Sequence, residues 1–537
     1  MQDLLPSYFP TLALALLLTI AFSFLPERWV KPKTPKINFR TALLQALLVS
    51  ILFLAVTLIV QRPIFSALAV SIFLIILSGV SNAKYKALRE PLVFSDIAMF
   101  SQAFKHPRLY FPFLGLLPVI AAPIIIIALI ITVLSLEPAM AFTAQRILIS
   151  ILAIAAFVFI ARKIALGFTL TQEPDQDIEC LGLLNSIFVY AIQARTPAHQ
   201  QTIQSTLAES PFNSAIENID KVNNEKSPPH FEGVFSNITV IQSESFFDAR
   251  RLHDSIKPDV LKNFDNCNQQ STQFGKLKVP AWGANTMRTE FAFLSGLKYQ
   301  DLGLYRYYPY QYLHKMPISS IASYLSAQGY RCVCIHPHPD SFFGRDRIFP
   351  QMGFDEFIDI KDFDSNNTFG PYISDQAVTD KILEITHQHE TNKPDQPLFI
   401  FAITMENHGP LHLEKTTAEE QHSYFEKKPL TAANDLTVYL RHLQNADKMI
   451  AELTHAYSQS KKPQALCFYG DHIPSMPNIY QQLDYDEEES DYFIWQNAQS
   501  KISDPMKSQT EQMISADSLA KTLLTVTGNL SLNSTEK

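Results

Sequence analysis

Cysteine is scarce in this chain and poorly arranged for chemistry. The five residues (Cys180, Cys267, Cys332, Cys334 and Cys467) are odd in number and contain no CxxC pair. That spacing argues against a zinc or redox role. Cys332 and Cys334 alternate within an apolar strand, so both face one side of a sheet as packing residues. Positive charge is also short, with 44 Lys and Arg against 52 Asp and Glu and a net charge of -8. A nucleic-acid binder meets phosphates with a basic face, so that class is excluded. No repeat or low-complexity tract is apparent, and no basic leader precedes the first apolar run. Charged residues make up only 18% of the 537 positions. Most of them fall after Leu170, while most of the long apolar runs fall before it.

Those runs lie at Pro10–Leu25, Thr41–Val60, Ile64–Val80, Phe113–Leu136 and Ile147–Leu166. Several match the roughly 20 residues needed to cross a hydrocarbon core, and five in succession speak against buried soluble helices. Residues 1–170 are therefore expected to form a transmembrane domain of about five apolar segments, the first a retained anchor rather than a cleaved signal. The loops after the first run (Arg28, Lys31, Lys33, Lys36, Arg40) and after the third (Lys84, Lys86, Arg89, Lys105, Arg108) are both basic. The positive-inside rule places both in the cytoplasm, which with five full spans puts the C-terminal portion there too. The chemistry below calls for the outer face. Either one run does not cross, with Gln61-Arg62-Pro63 the weak point, or the rule fails here. The stretch Arg89–Asp96 reads as interfacial. Residues 171–230 read as a polar connector ending in Asn-Asn-Glu-Lys-Ser-Pro-Pro, with an amphipathic helix at Ile178–Ala194 resting on the bilayer.

From 231 to 530, apolar strands alternate with helical patterns, the mark of a mainly parallel sheet covered by helices. Strands are expected at Ile238–Ile241, Tyr330–His336, Leu398–Met405 and Ala465–Tyr469. Helices are expected at Thr286–Leu297, Ser374–Glu390, Ala432–Tyr457 and Ala516–Thr527. Ligands in such sheets bind beyond the carboxyl ends of the strands. Glu244, His336, Asn407-His408 and Asp471-His472 each follow a strand, so one crevice can collect them.

Thr286 stands at the start of a helix behind Gly283-Ala284-Asn285. An N-cap is its ordinary role, yet the same position lies in the positive end of a helix dipole, which favours an anion. A threonine hydroxyl becomes a nucleophile only when a metal or base takes its proton. Glu244, Asp471 and His472 suit a divalent cation. Singly each has a plain alternative: Glu244 as a capped turn, Gly470-Asp471-His472 as a chance tripeptide. Their conjunction points to a metal-assisted threonine nucleophile. Arg345 can grip phosphate oxygens in a fork, or belong with Asp346 and Arg347 to a surface ion cluster. His336 and His408 can bond non-bridging oxygens or protonate a leaving alcohol. Glu290, one turn beyond Thr286, orients the site or caps the helix. The tyrosine-rich run Tyr305–Tyr312 resembles a headgroup-level belt, an expectation that it faces the bilayer and guides a lipid in.

On Ile241–Ser245, Gly283–Phe291, His336 with Phe343-Gly344-Arg345-Asp346, Met352–Asp355, Glu406-Asn407-His408 and Tyr469–His472, the chain resembles the lipoteichoic acid synthase and periplasmic-glucan phosphoglycerol transferase family. That family belongs to the alkaline phosphatase/sulfatase superfamily, and the resemblance spans nearly the whole soluble half. It implies a sulfatase-type α/β domain behind a multi-span anchor. It also implies one metal, manganese first with magnesium or zinc as alternatives, held by Glu244, Thr286, Asp471 and His472. Arg345, His336, His408 and Phe343 line the phosphoglycerol pocket by the same match. Phe343 stands where the synthases carry Trp and lacks an indole N–H. The implied reaction moves glycerophosphate from phosphatidylglycerol to a glycan or polyglycerophosphate through a phosphothreonine. It would run on the outer, periplasmic face of a bacterial inner membrane. A phosphoethanolamine transferase is the nearest rival, but that group braces its domain with several disulfides. A sulfatase needs a C/S-x-P-x-R context, which Thr286-Met287-Arg288 lacks. An inactive binding or sensing protein on the same fold is the alternative of another class.

Overall fold

The computed structural model describes residues 5–32, 36–97, 99, 116–140, 143–213, 236–427, 433–500 and 510–529. Lys33, Lys105 and Arg108 of the basic loops, and the Asn-Asn-Glu-Lys-Ser-Pro-Pro tract, lie outside them. The chain divides into two compact units, Met1–Gln200 and Gln201–Lys537.

The first unit is helical. Helices α1 (Leu5–Glu27), α2 (Phe39–Val60), α3 (Pro63–Leu88), α4 (Leu116–Leu136) and α5 (Ala144–Leu166) fall on the five apolar runs. Among the described residues four stretches are long and apolar enough to cross a membrane: Pro10–Glu27, Phe39–Val60, Pro63–Leu88 and Ala144–Leu166. In α4, the apolar stretch Pro123–Leu136 is shorter. Gln61-Arg62-Pro63 is a true break: Gln61 takes a left-handed φ of 60° that ends α2, and Pro63 opens α3 with the φ its ring presets. Both sides of the break carry full-length helices. Glu137 supplies the cap, accepting the amides of Ile64 and Phe65 at 2.8 Å each. Hydroxyls inside the helices bond back to their own turn, as in Ser50 to Ala46 O and Thr57 to Phe53 O, both 2.7 Å. These hydroxyls are thereby not offered bare to an apolar medium.

The amphipathic helix expected at Ile178–Ala194 is two helices, α6 (Pro174–Leu181) and α7 (Leu183–Gln193). Gly182 between them sits at φ 86°, and the Glu27 carboxylate accepts the Leu183 and Leu184 amides at 2.7 and 3.1 Å. Leu183, Ile187, Val189 and Tyr190 are buried within the unit. Phe188 and Ile192 of the same helix remain partly exposed. Leu92, Val93 and Phe94 of the expected interfacial stretch are buried as well, and Asp96 binds the Val93 amide and Lys84, both at 2.7 Å.

The second unit is an α/β sandwich around a nine-stranded sheet. Its strands are β1 (Asn237–Ser243), β2 (Gln273–Lys278), β3 (Arg331–Ile335), β4 (Glu356–Ile358), β5 (Leu398–Ile403), β6 (Gln464–Gly470), β7 (Ser490–Gln496), β8 (Thr510–Glu511) and β9 (Ile514–Ser515). Their order is β8-β2-β7-β6-β1-β5-β3-β4, with β9 also on β2. Only β7 runs antiparallel to its neighbours β2 and β6. All seven residues of β1 are buried, as expected of a central strand covered on both faces. The covering helices include α8 (Thr286–Ser295), α9 (Asp375–Asn392), α10 (Asn434–Gln459) and α11 (Ala516–Val526). Phe468 and Phe493 stack at 5.6 Å in the core, and Phe246 meets Phe468 edge-on at 4.9 Å.

Register then decides where side chains emerge. Gln242 pairs with Tyr469 and Ser243 with Gly470, so Glu244 and Asp471 leave adjacent strands at the same level. Gln242 also pairs with Ile403, and Ile335 with Ala402. The carboxyl ends of β6, β1, β5 and β3 therefore open side by side.

Candidate active site

Three side chains meet beyond β1 and β6. One ligand atom from each of Glu244, Asp471 and His472 lies within 4.8 Å of the others, and all three residues are buried. His472 Nε2 is 3.3 Å from Asp471 Oδ2 and 3.7 Å from Glu244 Oε1. The shell around them fixes which atoms are left over. His472 Nδ1 donates to the Ile473 carbonyl at 3.0 Å, which leaves Nε2 as the ring nitrogen turned to the two carboxylates. Ser245 sits at a left-handed φ of 56°, from which its amide donates to Asp471 Oδ1 at 2.8 Å and its hydroxyl to Glu244 Oε1 at 2.9 Å. A non-glycine residue in that region is strained, and such strain collects at sites that need it. Thr404 accepts the Glu244 amide at 2.9 Å. Gly470 lets the chain turn closely, since a Cβ there would stand 1.8 Å from the Phe246 carbonyl.

Among the described residues, two buried atoms here, Asp471 Oδ2 and His472 Nε2, have no hydrogen-bond partner. Burial pushes the Glu244 carboxyl up to about 8, and the Asp471 carboxylate beside it adds to the rise. Two buried acids at short range with an imidazole nitrogen beside them form an arrangement that a divalent cation relieves. The donor set, two carboxylates and one imidazole, fits such an ion.

Thr286 opens α8, but not as its N-cap. That place belongs to Asn285, left-handed at φ 69°, which makes no side-chain cap bond. The Thr286 hydroxyl is therefore not spent on capping. The chain around it is tied to the acid–imidazole segment on both sides: Gly283 N donates to Ile473 O at 3.1 Å and Thr289 Oγ1 to Asp471 O at 2.7 Å.

Arg345 is 1% exposed, while Asp346 and Arg347 are exposed, so the three are no surface cluster. Its Nε and Nη2 hold Glu290 at 3.0 and 2.8 Å, which makes Glu290 a partner of Arg345 and not a cap of α8. Arg345 Nη1 is buried without a hydrogen-bond partner among the described residues. Phe343, at φ 58°, places its ring 5.2 Å from the Arg345 guanidinium carbon. His336 Nδ1 faces the Ile403 carbonyl at 3.2 Å, and burial, reinforced by the Arg345 charge, holds its ring well below the usual imidazole range. Half-buried His408 has Nδ1 2.7 Å from the Gly409 carbonyl, and burial lowers its pKa too. Both rings are thus neutral, with Nε2 as the basic atom.

The tyrosine run does not face a bilayer. Tyr305, Tyr307, Tyr308 and Tyr310 are at most 7% exposed, and Tyr305 stacks on Tyr312 at 4.8 Å. Their rings pack inside the α/β unit, with Tyr310 OH donating to Glu290 Oε1 at 2.7 Å. Sequence reasoning missed Ser245, Thr289 and Thr404. Their only signal was adjacency: next to Glu244, one turn after Thr286, and one residue past β5.

A parallel-centred sheet with an acid–imidazole cluster and a threonine-led helix at its carboxyl edge defines an alkaline-phosphatase-type domain behind apolar helices. The chain belongs to the Sulfatase family, whose model matches residues 236–529. It is 28% identical over 450 residues to the capsular polysaccharide biosynthesis protein RkpI of Rhizobium meliloti (strain 1021), covering 81% of this chain and 77% of that one. It is 28% identical over 151 residues to lipoteichoic acid synthase 1 of Bacillus subtilis (strain 168), covering 27% of this chain and 22% of that one. Among solved structures, the phosphoglycerol transferase GacH of Streptococcus pyogenes, in complex with sn-glycerol-1-phosphate, aligns at 22% identity and a TM-score of 0.43, over 61% of this chain and 81% of that one.

Proposed function

We propose that this chain is a membrane-bound, metal-dependent phosphoglycerol transferase, with residues 1–170 as its anchor, 171–230 as connector and 231–530 as its catalytic domain. It moves glycerophosphate from phosphatidylglycerol to a cell-envelope glycan or polyglycerophosphate, on the outer face of a bacterial inner membrane. The observation that carries this reading is the pair of buried ligand atoms on Asp471 and His472, unpartnered among the described residues, beside Glu244, with the chain on either side of Thr286, Gly283 and Thr289, hydrogen-bonded to the same Asp471–Ile473 segment. A relative named for capsular polysaccharide and one named for lipoteichoic acid support an envelope acceptor. All five cysteines are free, which speaks against the disulfide-braced phosphoethanolamine branch.

Glu244, Asp471 and His472, joined by Thr286 Oγ1, would hold the cation, manganese in the first instance. When bound, it supplies a Lewis acid that lowers the hydroxyl's proton affinity and polarises a phosphoryl oxygen. Thr286 gives its hydroxyl proton to a neutral imidazole, and its Oγ1 attacks the phosphorus of the donor as the bond to the diacylglycerol oxygen breaks. That oxygen takes the proton from the imidazole and leaves as diacylglycerol, with phosphoglycerol esterified to Thr286. An acceptor hydroxyl then attacks the same phosphorus, gives its proton to the neutral imidazole, and expels Thr286 Oγ1, which takes that proton up and restores the hydroxyl. Nε2 of His408 or His336 suits that proton because both rings are held neutral by burial. Arg345 Nη1 meets the non-bridging oxygens.

The test is incubation of the purified protein and Mn2+ with labelled phosphatidylglycerol or phosphatidylethanolamine, followed by mass spectrometry of the Thr286 peptide. A glycerophosphate mass on Thr286 is expected. A phosphoethanolamine adduct would reassign the donor, and no adduct from either lipid would overturn the covalent route.

A further inference from the structure

Glu290 is fully buried on α8, one turn beyond Thr286. Its two carboxylate oxygens are taken up completely. Oε1 accepts from Tyr310 OH at 2.7 Å and from Arg345 Nε at 3.0 Å, while Oε2 accepts from Arg345 Nη2 at 2.8 Å and from Gln242 Nε2 at 3.5 Å. Gln242 Oε1 in turn accepts from Tyr469 OH at 2.7 Å. Gln242 and Tyr469 are paired across β1 and β6, each two residues before a candidate ligand, Glu244 and Asp471. One hydrogen-bonded frame thus joins the two strands that lead to Glu244 and Asp471, the helix that Thr286 opens, and Arg345. A side-on grip through Nε and Nη2 fixes the guanidinium plane. It leaves Nη1 as the buried guanidinium nitrogen without a hydrogen-bond partner among the described residues.

We propose that Glu290 is a positioning residue for phosphoryl transfer, acting through Arg345: it orients the guanidinium so that Nη1 is presented to the transferred phosphoryl group. The proposal deepens the function proposed above and rests on it for the identity of the donor only. A donor aimed in advance at developing charge costs no reorganisation at the moment of reaction. The plainer alternative is a buried ion pair that only braces α8 against the loop carrying Arg345. The two differ in one respect: a brace affects activity whether or not residue 345 can touch phosphate.

A double-mutant cycle on the full-length protein in phosphatidylglycerol nanodiscs separates them, with Glu290→Gln and Arg345→Ala made singly and together. With Arg345 in place, Glu290→Gln is expected to lower kcat by about 100-fold, the usual scale for losing one aimed donor, with KM little changed and Mn2+ affinity by equilibrium dialysis unaltered. On the Arg345→Ala background the same change should alter kcat by less than about twofold, the limit for sites that do not couple further. An equal loss on both backgrounds, or no loss on either, overturns the proposal. If Glu290→Gln does not fold, Tyr310→Phe leaves the ion pair and removes one of Glu290's anchors, and the same cycle applies to its smaller effect. Running each variant also on bis-p-nitrophenyl phosphate keeps the two readings apart. Failure of the wild type on phosphatidylglycerol alone counts against the proposed donor, while the cycle on the aryl diester still decides the part played by Glu290.

Discussion

His442 sits on the inner face of α10 and is 1% exposed. Its Nδ1 lies 3.0 Å from Glu406 Oε1 and its Nε2 2.8 Å from Glu414 Oε1. Carboxylate oxygens only accept, so both ring nitrogens donate and the ring is an imidazolium. The surrounding charges agree. Arg441 pairs with Glu414, Asn445 donates to Glu406 at 2.7 Å, and the Phe369 ring stands edge-on at 5.4 Å. Burial alone would favour the neutral ring, but the two carboxylates override it and push the pKa from 6.5 up to about 9. Because the folded value is raised, the stabilisation is complete below pH 6.5, declines from there to pH 9 and is gone above it. The gap between 6.5 and about 9, at ~1.4 kcal/mol per unit, is worth about 3 kcal/mol. The assay is urea unfolding of the detergent-solubilised chain, followed by fluorescence of Trp282 and Trp495, for wild type and His442→Gln. The stability gap between the two should shrink by about 3 kcal/mol from pH 6 to pH 10. A gap that stays constant over that range would refute an imidazolium at this position.

Three other outcomes are expected. Thr286→Ala should form no phospho-adduct and lose transfer by at least about 1000-fold, whereas Thr286→Ser should restore an adduct and part of the rate; retained transfer in Thr286→Ala would end the covalent scheme. Treatment with a chelator should abolish transfer, and Mn2+ at about 100 times its Kd should then raise stability by about 2.7 kcal/mol, a shift read as an unfolding midpoint and lost in Glu244→Gln. Gly470→Ala would place a Cβ 1.8 Å from the Phe246 carbonyl, so it should destabilise the α/β unit by more than about 3 kcal/mol, checked by its unfolding midpoint.

The parallel strands were legible because both their faces are buried, so Ile238–Ile241, Leu398–Met405 and Ala465–Tyr469 read as short continuous apolar runs. What followed each run was polar and chemically capable, and the register of β1 with β5 and β6 brings those ends level. The strands β2 and β7 were missed. β2 (Gln-Phe-Gly-Lys-Leu-Lys) is interrupted by a glycine and half covered, and β7 follows an acidic stretch that reads as loop. Their pairing is set by tertiary packing more than by local pattern. The sequence reads as one helix over Ile178–Ala194 because its apolar spacing runs through Gly182; the break depends on Glu27, more than 150 residues earlier, which no local window contains.

The charged residues expose a deeper limit. Arg345, Glu290, His442, Glu406 and Asp375 look like surface groups when taken one at a time, since ionised side chains are rarely buried unless paired. Each is buried here because its partner arrives from another segment: Glu290 from α8 for Arg345, Glu406 from the loop after β5 for His442. A single sequence shows the groups and not the pairing. The tyrosine run failed in the same way, its rings read as amphipathic and outward when Tyr310 is in fact the hydroxyl that fills Glu290's remaining lone pair. Once a buried acid has its hydrogen bonds counted, the vacancies carry the information. Glu290 has none, and so it acts through a neighbour. Asp471 and His472 each keep one, side by side, and those two open positions are where a cation belongs.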